Sequence, residues 1–221
     1  MPSLFPLDHG PLLPSFSTLL VKGPYPDSCP INLALSFPNH RSIIVLSSCD
    51  KENNNLRASL QGLRLTGKIS AQAAQVQIFY LPTAAHMALL LSTLQVIDTE
   101  RPNTSAVHDK YTAVCSPHLL KPPGPALVII HEPSAYFTDS IRQSSPSSSY
   151  LSLLTRAISL TSRLGAALAV FDRHVNHLKM PVHPVPNPHL ERIQAVAPLL
   201  ANYMELIIDF SDLSNAIDGK Q

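Results

Sequence analysis

Short apolar runs alternate with segments of helical periodicity along most of this chain. Six runs of five or six residues are bounded by prolines, glycines or polar clusters, and four of them are nearly continuously apolar. Strands covered by helices on both faces have this pattern, whereas strands with one solvent face alternate apolar and polar residues. The pattern therefore predicts an α/β fold with a single doubly wound, mostly parallel sheet. The predicted strands are 18–22, 42–47, 76–81, 126–130, 166–171 and 205–210.

Two of the intervening segments predict helices in the first half of the chain. The stretch INLALSF at 31–37 follows the first apolar run after a short loop. A longer helix is predicted after Pro82, where the Thr83 hydroxyl is the expected N-terminal cap. The apolar residues of this helix recur at a spacing that places them on one face, which we expect to pack on the sheet. They are Met87, Leu90, Leu91, Leu94 and Ile97.

Two further helices are predicted in the second half. The third begins in the serine cluster near Ser147 and ends at Gly165, because glycine favours the conformation that terminates a helix. The fourth is predicted over about 189–203, with an internal proline that kinks or restarts it. The segments 99–125 and 172–188 are rich in proline and polar residues and are predicted to be irregular. The expected buried residues are Leu153, Ala157, Leu160 and Leu164 in the third helix and Leu190, Ile193, Ala197 and Leu200 in the fourth.

The composition is that of a globular protein with little surface charge. Hydrophobic residues make up 45% of the 221 positions and charged residues 14%, which excludes a disordered chain and favours a surface that is covered by a partner. The formal net charge of +1 provides no global field that would draw the protein to nucleic acid or to an acidic membrane. Any contact with nucleic acid is therefore expected to be local.

The cysteines and the terminal sequence favour a reducing compartment. Cys29, Cys49 and Cys115 are odd in number and far apart, which argues against a disulfide framework and against a paired-cysteine metal site. The N-terminal sequence lacks the pattern of a signal peptide, and no apolar run approaches the roughly 18 residues that span a bilayer. We expect a soluble nuclear or cytoplasmic protein with one domain at 16–212, an N-terminal extension at 1–15 and a tail at 213–221.

The loop after the first predicted strand stands where a phosphate-binding P-loop would be. A functional loop reads G-x-x-x-x-G-K-[ST], since backbone amides surround the phosphates, the lysine reaches them and the hydroxyl holds Mg²⁺. This chain reads GPYPDSCP, so that Gly23 is the first glycine while Ser28, Cys29 and Pro30 replace the second glycine, the lysine and the hydroxyl residue. Prolines within the stretch also remove amide donors. Together these changes predict that no nucleotide cofactor binds.

The end of the fourth predicted strand also lacks its expected metal-binding residue. In P-loop proteins this strand ends in an aspartate that orients Mg²⁺. The sequence here is ALVIIHEPSAYF, with His131 at the aspartate position and Glu132 one residue later. Glu132 could activate a water molecule, but without the lysine and the hydroxyl there is no nucleotide for it to act on.

Other catalytic and metal-binding patterns are absent from the sequence. Four histidines at 174, 177, 183 and 189 fall within sixteen residues, and the first two have the i, i+3 spacing of helical metal ligands. The surrounding prolines argue against a helix, and no cysteine or acidic ligand is close in sequence. No Gly-x-Ser-x-Gly elbow and no His-Glu-x-x-His motif is present. We therefore expect no metal site and no hydrolase or metalloprotease activity.

The order of these segments over about 16–212 resembles the RecA-like ATPase core, and within it the short recombinase paralogues of Shu-type complexes. After the loop-bearing first strand come IIVLSS and then VQIFYLPTAAHMALLLSTL, a strand that leads through a proline into a leucine-rich helix. The strand ALVIIHEPSAYF, a serine-flanked helix, AALAVFD and a closing LIIDFSD complete the series. The Tyr-x-Pro exit from the third strand and the leucine helix that follows it are the features most similar to the short paralogues.

This resemblance implies a non-catalytic nuclear subunit that binds a SWIM-domain protein and recombinases or their paralogues. Such a subunit assists recombinase assembly on single-stranded DNA in homologous recombination, without ATP turnover. The loop after the fifth core strand faces DNA in RecA-like proteins, which implies a DNA contact through Arg173, His174, His177 and Lys179. The alternative is a RecA-like accessory subunit of the Elongator complex, which acts in tRNA modification. A true NTPase with an unusual loop is the third candidate.

Overall fold

The computed structural model describes residues 1–6, 10–38, 41–48, 56, 60, 67–96, 118–120, 123–138, 146–181 and 193–211. Its centre is a six-stranded sheet in which every pair of neighbours is parallel. All six predicted strands are confirmed, with ends that differ by at most one residue. These strands are β1 (Thr18–Lys22), β2 (Ile43–Ser48), β3 (Val76–Leu81), β6 (Leu127–His131), β7 (Ala167–Asp172) and β10 (Leu206–Asp209).

The order of strands across the sheet is β10-β1-β7-β6-β2-β3. The chain leaves β1 toward β2 on one side, whereas it leaves the neighbouring β7 toward β10 on the other side. In open parallel sheets the crevice outside the carboxyl ends of two such strands is where ligands bind. The strand order therefore places the candidate site at the carboxyl ends of β1, β7 and the adjoining β6.

Helices cover both faces of the sheet, as predicted for a doubly wound fold. The described helices are α1 (Cys29–Ser36), α2 (Gly67–Ala73), α3 (Ala84–Thr93), α4 (Ala135–Thr138), α5 (Pro146–Leu164) and α6 (Val196–Leu200). Side chains of β6 alternate, so that Val128 and Ile130 pack with α3, α5 and α6, while Leu127 and Ile129 pack with α1. This alternation explains why the strand is apolar at every position.

The helix ends follow the predicted signals. Thr83 precedes α3, and its hydroxyl accepts a hydrogen bond from the His86 N–H at 3.3 Å. Gly165 ends α5 with a φ of +59°, a backbone conformation that costs glycine little. The predicted face of α3 is confirmed for Met87, Leu90 and Leu91, which are all buried. Residue 97 of that face lies outside the described residues.

The prediction of one helix over 189–203 is wrong at Ile193–Ala195. Residues 189–192 lie outside the described part of the chain, and Ile193–Ala195 form a short strand, β9. β9 pairs antiparallel with β8 (Lys179–Pro181), so the backbone hydrogen bonds of this segment are made across strands. The helix α6 starts only at Val196. Pro198 then falls in its first turn, where the missing N–H has no helical acceptor to lose.

Short ordered elements also occur in both segments that were predicted to be irregular. A 3₁₀ turn at Val175–His177 and β8 lie within 172–188. β5 (His118–Leu120) lies within 99–125 and pairs in parallel with β4 (Leu94–Val96), which directly follows α3. Residues 99–117, 121–122 and 182–188 of these two segments lie outside the described residues.

The N-terminal extension contributes to the core. Ser3 forms an isolated antiparallel bridge with Leu12, and Leu4 and Leu13 are buried against α1 and the first strands. The Ser36 hydroxyl accepts a hydrogen bond from the Ser3 N–H at 2.8 Å, which ties this segment to the end of α1. The tail from 212 onward lies outside the described residues. No helix in the described part of the chain is long and apolar enough to span a membrane.

Candidate functional site

The crevice at the carboxyl ends of β1, β6 and β7 contains a cluster of polar side chains, most of which are buried. The loop at 23–28 follows β1, Glu132 follows β6, and Asp172 and Arg173 end β7 and begin the next loop. Parallel strands bring their carboxyl ends to the same edge of a sheet, so these groups meet although they are far apart in sequence. The cluster consists of Tyr25, Asp27, His131, Glu132, Ser134, Tyr150, Asp172 and Arg173.

Tyr25 fills the floor of the crevice. Its ring lies edge-on to Phe171 at 5.4 Å between centroids and also packs on Phe210 and His131 at 6.4 Å. Its hydroxyl donates a hydrogen bond of 2.5 Å to Oε1 of Glu132. Burial, together with the Glu132 charge, raises the pKa of the Tyr25 phenol far above its ordinary value. The phenol is therefore a permanent donor to the carboxylate.

The guanidinium of Arg173 stacks on the ring of Tyr25. Its guanidinium carbon lies 4.7 Å above the centroid of the Tyr25 ring, within the range of a cation–π contact. Nη2 donates to the Tyr25 carbonyl at 2.9 Å and forms an ion pair with Asp27, while Nε lies 3.6 Å from Oε1 of Glu132. The side chain is 27% exposed, so most of its surface faces protein groups.

Glu132 joins the loops around the crevice. Its carboxylate accepts hydrogen bonds from the Tyr25 hydroxyl and, at 3.2 Å, from the backbone N–H of Arg173. Its own N–H donates to the Phe171 carbonyl at 2.8 Å, and its φ is +52°. A positive φ is uncommon for a residue with a side chain and persists where surrounding contacts hold it. These contacts keep the carboxylate directed into the crevice.

Asp172 is a second buried carboxylate, and it accepts four hydrogen bonds. Oδ1 accepts from the Ser134 hydroxyl at 2.5 Å and from the His174 N–H at 3.1 Å. Oδ2 accepts from the Tyr150 hydroxyl at 2.8 Å and from the Ser134 N–H at 3.2 Å. Burial raises the pKa of this carboxyl to about 7, although the hydrogen bond from Ser134 lowers it. Asp172 thus connects the loop after β6, the first turns of α5 and the loop after β7.

His131 is a neutral, buried member of the cluster. Its Nδ1 lies 3.1 Å from the Ser47 hydroxyl at the end of β2, and its Nε2 lies 4.0 Å from Oε1 of Glu132. Burial and the positive charge of Arg173 lower the pKa of the imidazole to about 4. His131 therefore carries no charge at neutral pH. It cannot replace the anionic metal ligand that the aspartate at this position would provide.

The residues at the four predicted P-loop positions lie in the loop after β1 and at the start of α1. Gly23 has a φ of +83° and passes close to Ser211, where an added Cβ would lie 2.7 Å from the Ser211 N and Oγ atoms. Ser28 precedes α1 without a side-chain capping bond. Cys29 and Pro30 are buried in α1, and burial raises the pKa of the Cys29 thiol to about 11. The Cys29 thiol is thus a neutral core group, whereas a P-loop lysine would reach into the crevice.

The four residues predicted to contact DNA are placed in two different environments. His174 and His177 are exposed on either end of the 3₁₀ turn, with ring centroids 6.0 Å apart, and Lys179 is exposed at the start of β8. Arg173 instead directs its guanidinium into the crevice. His183 and His189 lie outside the described residues, and no group of three potential metal ligands occurs among the residues that the structure describes.

The sequence interpretation missed the side chains that fill the crevice. Tyr25, Asp27, Ser134, Tyr150 and Asp172 were not among the candidate site residues. One signal was available for Asp172, because a carboxylate directly ends the apolar fifth run, AALAVFD. In a parallel sheet a charge at that point lies at the edge where ligands bind. No local pattern marks the other four, since their roles depend on strands that only the fold brings together.

The charges of the crevice oppose an anionic ligand. Arg173 provides one positive charge, while Asp27 and Glu132 provide two negative charges within hydrogen-bonding or ion-pair distance of it. A phosphate would have to displace these carboxylates and the Tyr25 ring, and would meet the remaining negative charge. No protein-family profile matches the chain, and no curated protein matches it significantly. The crevice and the strand order are therefore the basis for a functional proposal.

Proposed function

We propose that this protein is a non-catalytic, RecA-like subunit of a Shu-type recombination mediator, which assists recombinase assembly on single-stranded DNA in the nucleus. The observation that carries the proposal is a strand order that supports a RecA-like fold, together with a crevice at the strand ends that is filled by Tyr25 and Arg173 of the chain itself. A protein with such a crevice acts through its contacts with partners. The expected partners are a SWIM-domain protein and a recombinase or its paralogues.

The strand order supports a RecA-like rather than a dinucleotide-binding fold. Numbered along the chain, the six strands of the sheet lie in the order 3-2-4-5-1-6. The dinucleotide-binding and flavodoxin-like folds have the orders 3-2-1-4-5-6 and 2-1-3-4-5, in which the first strand is adjacent to the second. Here the fourth and fifth strands lie between the first and the second. In RecA-like cores one strand lies between the P-loop strand and the strand that bears the metal-binding aspartate. Here β7 lies between β1 and β6.

The third strand and the helix after it support the choice of the short recombinase paralogues. β3 ends at Leu81, and Pro82 and the capping residue Thr83 lead directly into α3. This helix packs Leu90 and Leu91 on the sheet beside α5. The same connection was the feature of the sequence most similar to the short paralogues. The Elongator alternative shares the RecA-like layout but does not account for this feature.

We expect the purified protein to bind no Mg-ATP. The lysine, hydroxyl and aspartate positions are occupied by Cys29, Pro30 and His131, and the crevice already contains an ion-paired guanidinium. Isothermal titration calorimetry at neutral pH should give no heat of binding up to millimolar nucleotide. Binding at micromolar affinity would contradict the proposal and favour an unorthodox NTPase. A Tyr25→Ala variant is a useful control, because it empties part of the crevice without supplying the missing lysine.

We also expect the tagged protein to co-purify with a SWIM-domain protein and to be more soluble with it. Large apolar side chains are exposed on the described surface, including Leu89, Tyr203 and Ile207 at 51%, 58% and 36%. An interface would remove them from water. Affinity purification with mass spectrometry distinguishes the recombination proposal from the Elongator alternative. Recovery of Elongator subunits in place of a SWIM-domain protein would replace the recombination proposal, and a stable monomer without partners would contradict both.

A further inference from the structure

The side chain of Arg173 is directed toward protein groups, although the residue directly precedes the exposed His174. We propose that Arg173 is a positioning residue that fixes the loop at 173–178 against the loop at 23–28, so that His174 and His177 are presented together to single-stranded DNA. In this arrangement Arg173 does not contact phosphate itself. The inference rests on the proposed function, and it assigns different roles to neighbouring residues of the same surface.

The guanidinium of Arg173 has partners in two other segments of the chain. Nη2 bonds the Tyr25 carbonyl and pairs with Asp27, and both groups belong to the loop after β1. Nε faces Glu132, which follows β6. The planar group also stacks on the Tyr25 ring. Three separate segments are therefore joined by one side chain, which is the arrangement expected of a residue that fixes loops.

The backbone of the loop is fixed at the same point. The Arg173 N–H donates to Oε2 of Glu132, and the next N–H, that of His174, donates to Oδ1 of Asp172. The 3₁₀ turn follows, closed by the hydrogen bond from the His177 N–H to the His174 carbonyl at 2.9 Å. Val175 is buried beneath the turn, while His174 and His177 are exposed. Anchoring Arg173 thus determines where the two imidazoles stand.

Electrostatics argues against a direct phosphate contact by Arg173. To reach a phosphate the guanidinium would leave two carboxylates, one of which, Glu132, is only 3% exposed and would lose its buried cation. Uncovering a buried charge in this way is strongly unfavourable. Asp27, which is 58% exposed, would in addition repel an approaching phosphate. Three nearby residues are exposed and have side chains that could approach DNA, namely His174, His177 and Lys179.

The salt dependence of DNA binding distinguishes positioning from contact. Each lysine or arginine that neutralises a phosphate of single-stranded DNA contributes about 0.7 to the log-log slope of affinity against salt. With the reconstituted complex and an oligo(dT) probe, Lys179→Gln should reduce the slope by about 0.7. Arg173→Gln should lower affinity by about tenfold at every salt concentration and leave the slope unchanged. A slope reduced by about 0.7 in Arg173→Gln would overturn the inference.

A second measurement tests the positioning without DNA. In the full-length chain, Arg173→Gln and Asp27→Asn should each speed amide hydrogen exchange about tenfold in the loops 23–28 and 173–178, with no change in β2 and β3. The two substitutions together should add little to either one, because both break the same ion pair. Asp27 is largely exposed, so Asp27→Asn should fold even if Arg173→Gln does not. Unchanged loop exchange in Asp27→Asn would overturn the positioning role.

The two measurements separate this inference from the proposed function. If the wild-type complex binds no oligo(dT), the proposed DNA function fails and the presentation of His174 and His177 fails with it. If the complex binds oligo(dT) but loop exchange does not respond to Asp27→Asn, the proposed function stands and the positioning role of Arg173 is wrong.

Discussion

An Asp172→Ala variant should be less stable than the wild type by about 4 kcal/mol at pH 7. The substitution leaves four donors without their acceptor, namely the Ser134 hydroxyl and N–H, the Tyr150 hydroxyl and the His174 N–H. These groups are buried or partly buried, so water replaces the carboxylate incompletely. Urea denaturation followed by circular dichroism would measure the loss.

Two further variants make this prediction specific. Tyr150→Phe removes one donor and leaves Asp172 with three, so it should cost only about 1 kcal/mol. Asp172→Asn should lower the stability nearly as much as Asp172→Ala. Each carboxylate oxygen accepts a backbone N–H, so the NH₂ group of asparagine would face one of these N–H groups without an acceptor between them. Full stability of Asp172→Asn would contradict the assigned network, in which each Asp172 oxygen accepts a backbone N–H.

The second large effect is the response of stability to acid in a His131→Gln variant. The native pKa of His131 is lowered to about 4 from an ordinary value of about 6.5, so the unfolded chain takes up the proton first. This residue therefore costs the wild type about 2.5 kcal/mol of stability when the pH falls from 7.5 to 4.5. The His131→Gln variant lacks this titrating group, so its stability should not fall by this amount on acidification.

Asp172 titrates in the same interval with the opposite sign. Its native pKa is raised to about 7 from about 3.8, so the folded protein takes up the proton first and gains about 3 kcal/mol between pH 7.5 and pH 4.5. In the wild type the two contributions nearly cancel. The free energy of unfolding should thus increase by about 3 kcal/mol on acidification in His131→Gln, which is about 2.5 kcal/mol more than in the wild type. An equal pH response in the two proteins would show that the His131 imidazole is not buried in its neutral form.

The prediction of the strands succeeded because burial on both faces leaves a local signature. β2 and β6 are buried at every position, and their sequences, IIVLSS and LVIIH, are apolar almost throughout. Turn residues on either side of each run then fixed its ends to within one residue. The α3 cap at Thr83 and the glycine that ends α5 are similarly local, since each acts within one turn of its own helix.

The prediction failed where a distant segment competes for the backbone. Ile193–Ala195 have apolar residues at helical spacing with those that follow, but they pair with Lys179–Pro181 instead. The hydrogen bonds of β9 are made with a segment that precedes it by more than ten residues. Periodicity within the predicted helix contains no information about that partner. Periodicity indicates only which residues are buried, and a short strand and a helical turn can bury the same ones.

The same limit applies to the crevice. The sequence supports only a prediction that the P-loop lysine, hydroxyl and aspartate are replaced, because each position is defined by its spacing from a strand. The contact between Tyr25 and Arg173 could not be predicted, since the two residues are separated by 148 positions. Arg173 illustrates the consequence. The residues next to Arg173 in the sequence predicted that it would be a cation on the surface. In the structure it pairs with Asp27 and Glu132, which follow two other strands.

The sequence by itself thus determined the α/β class and the six strands of the sheet, because burial patterns are properties of short segments. The tertiary structure alone decided the strand order, the antiparallel pair β8 and β9 and the charge cluster in the crevice. Those features depend on which strand ends become neighbours. That choice is made by the packing of helices on both faces of the whole sheet, and no single segment encodes it.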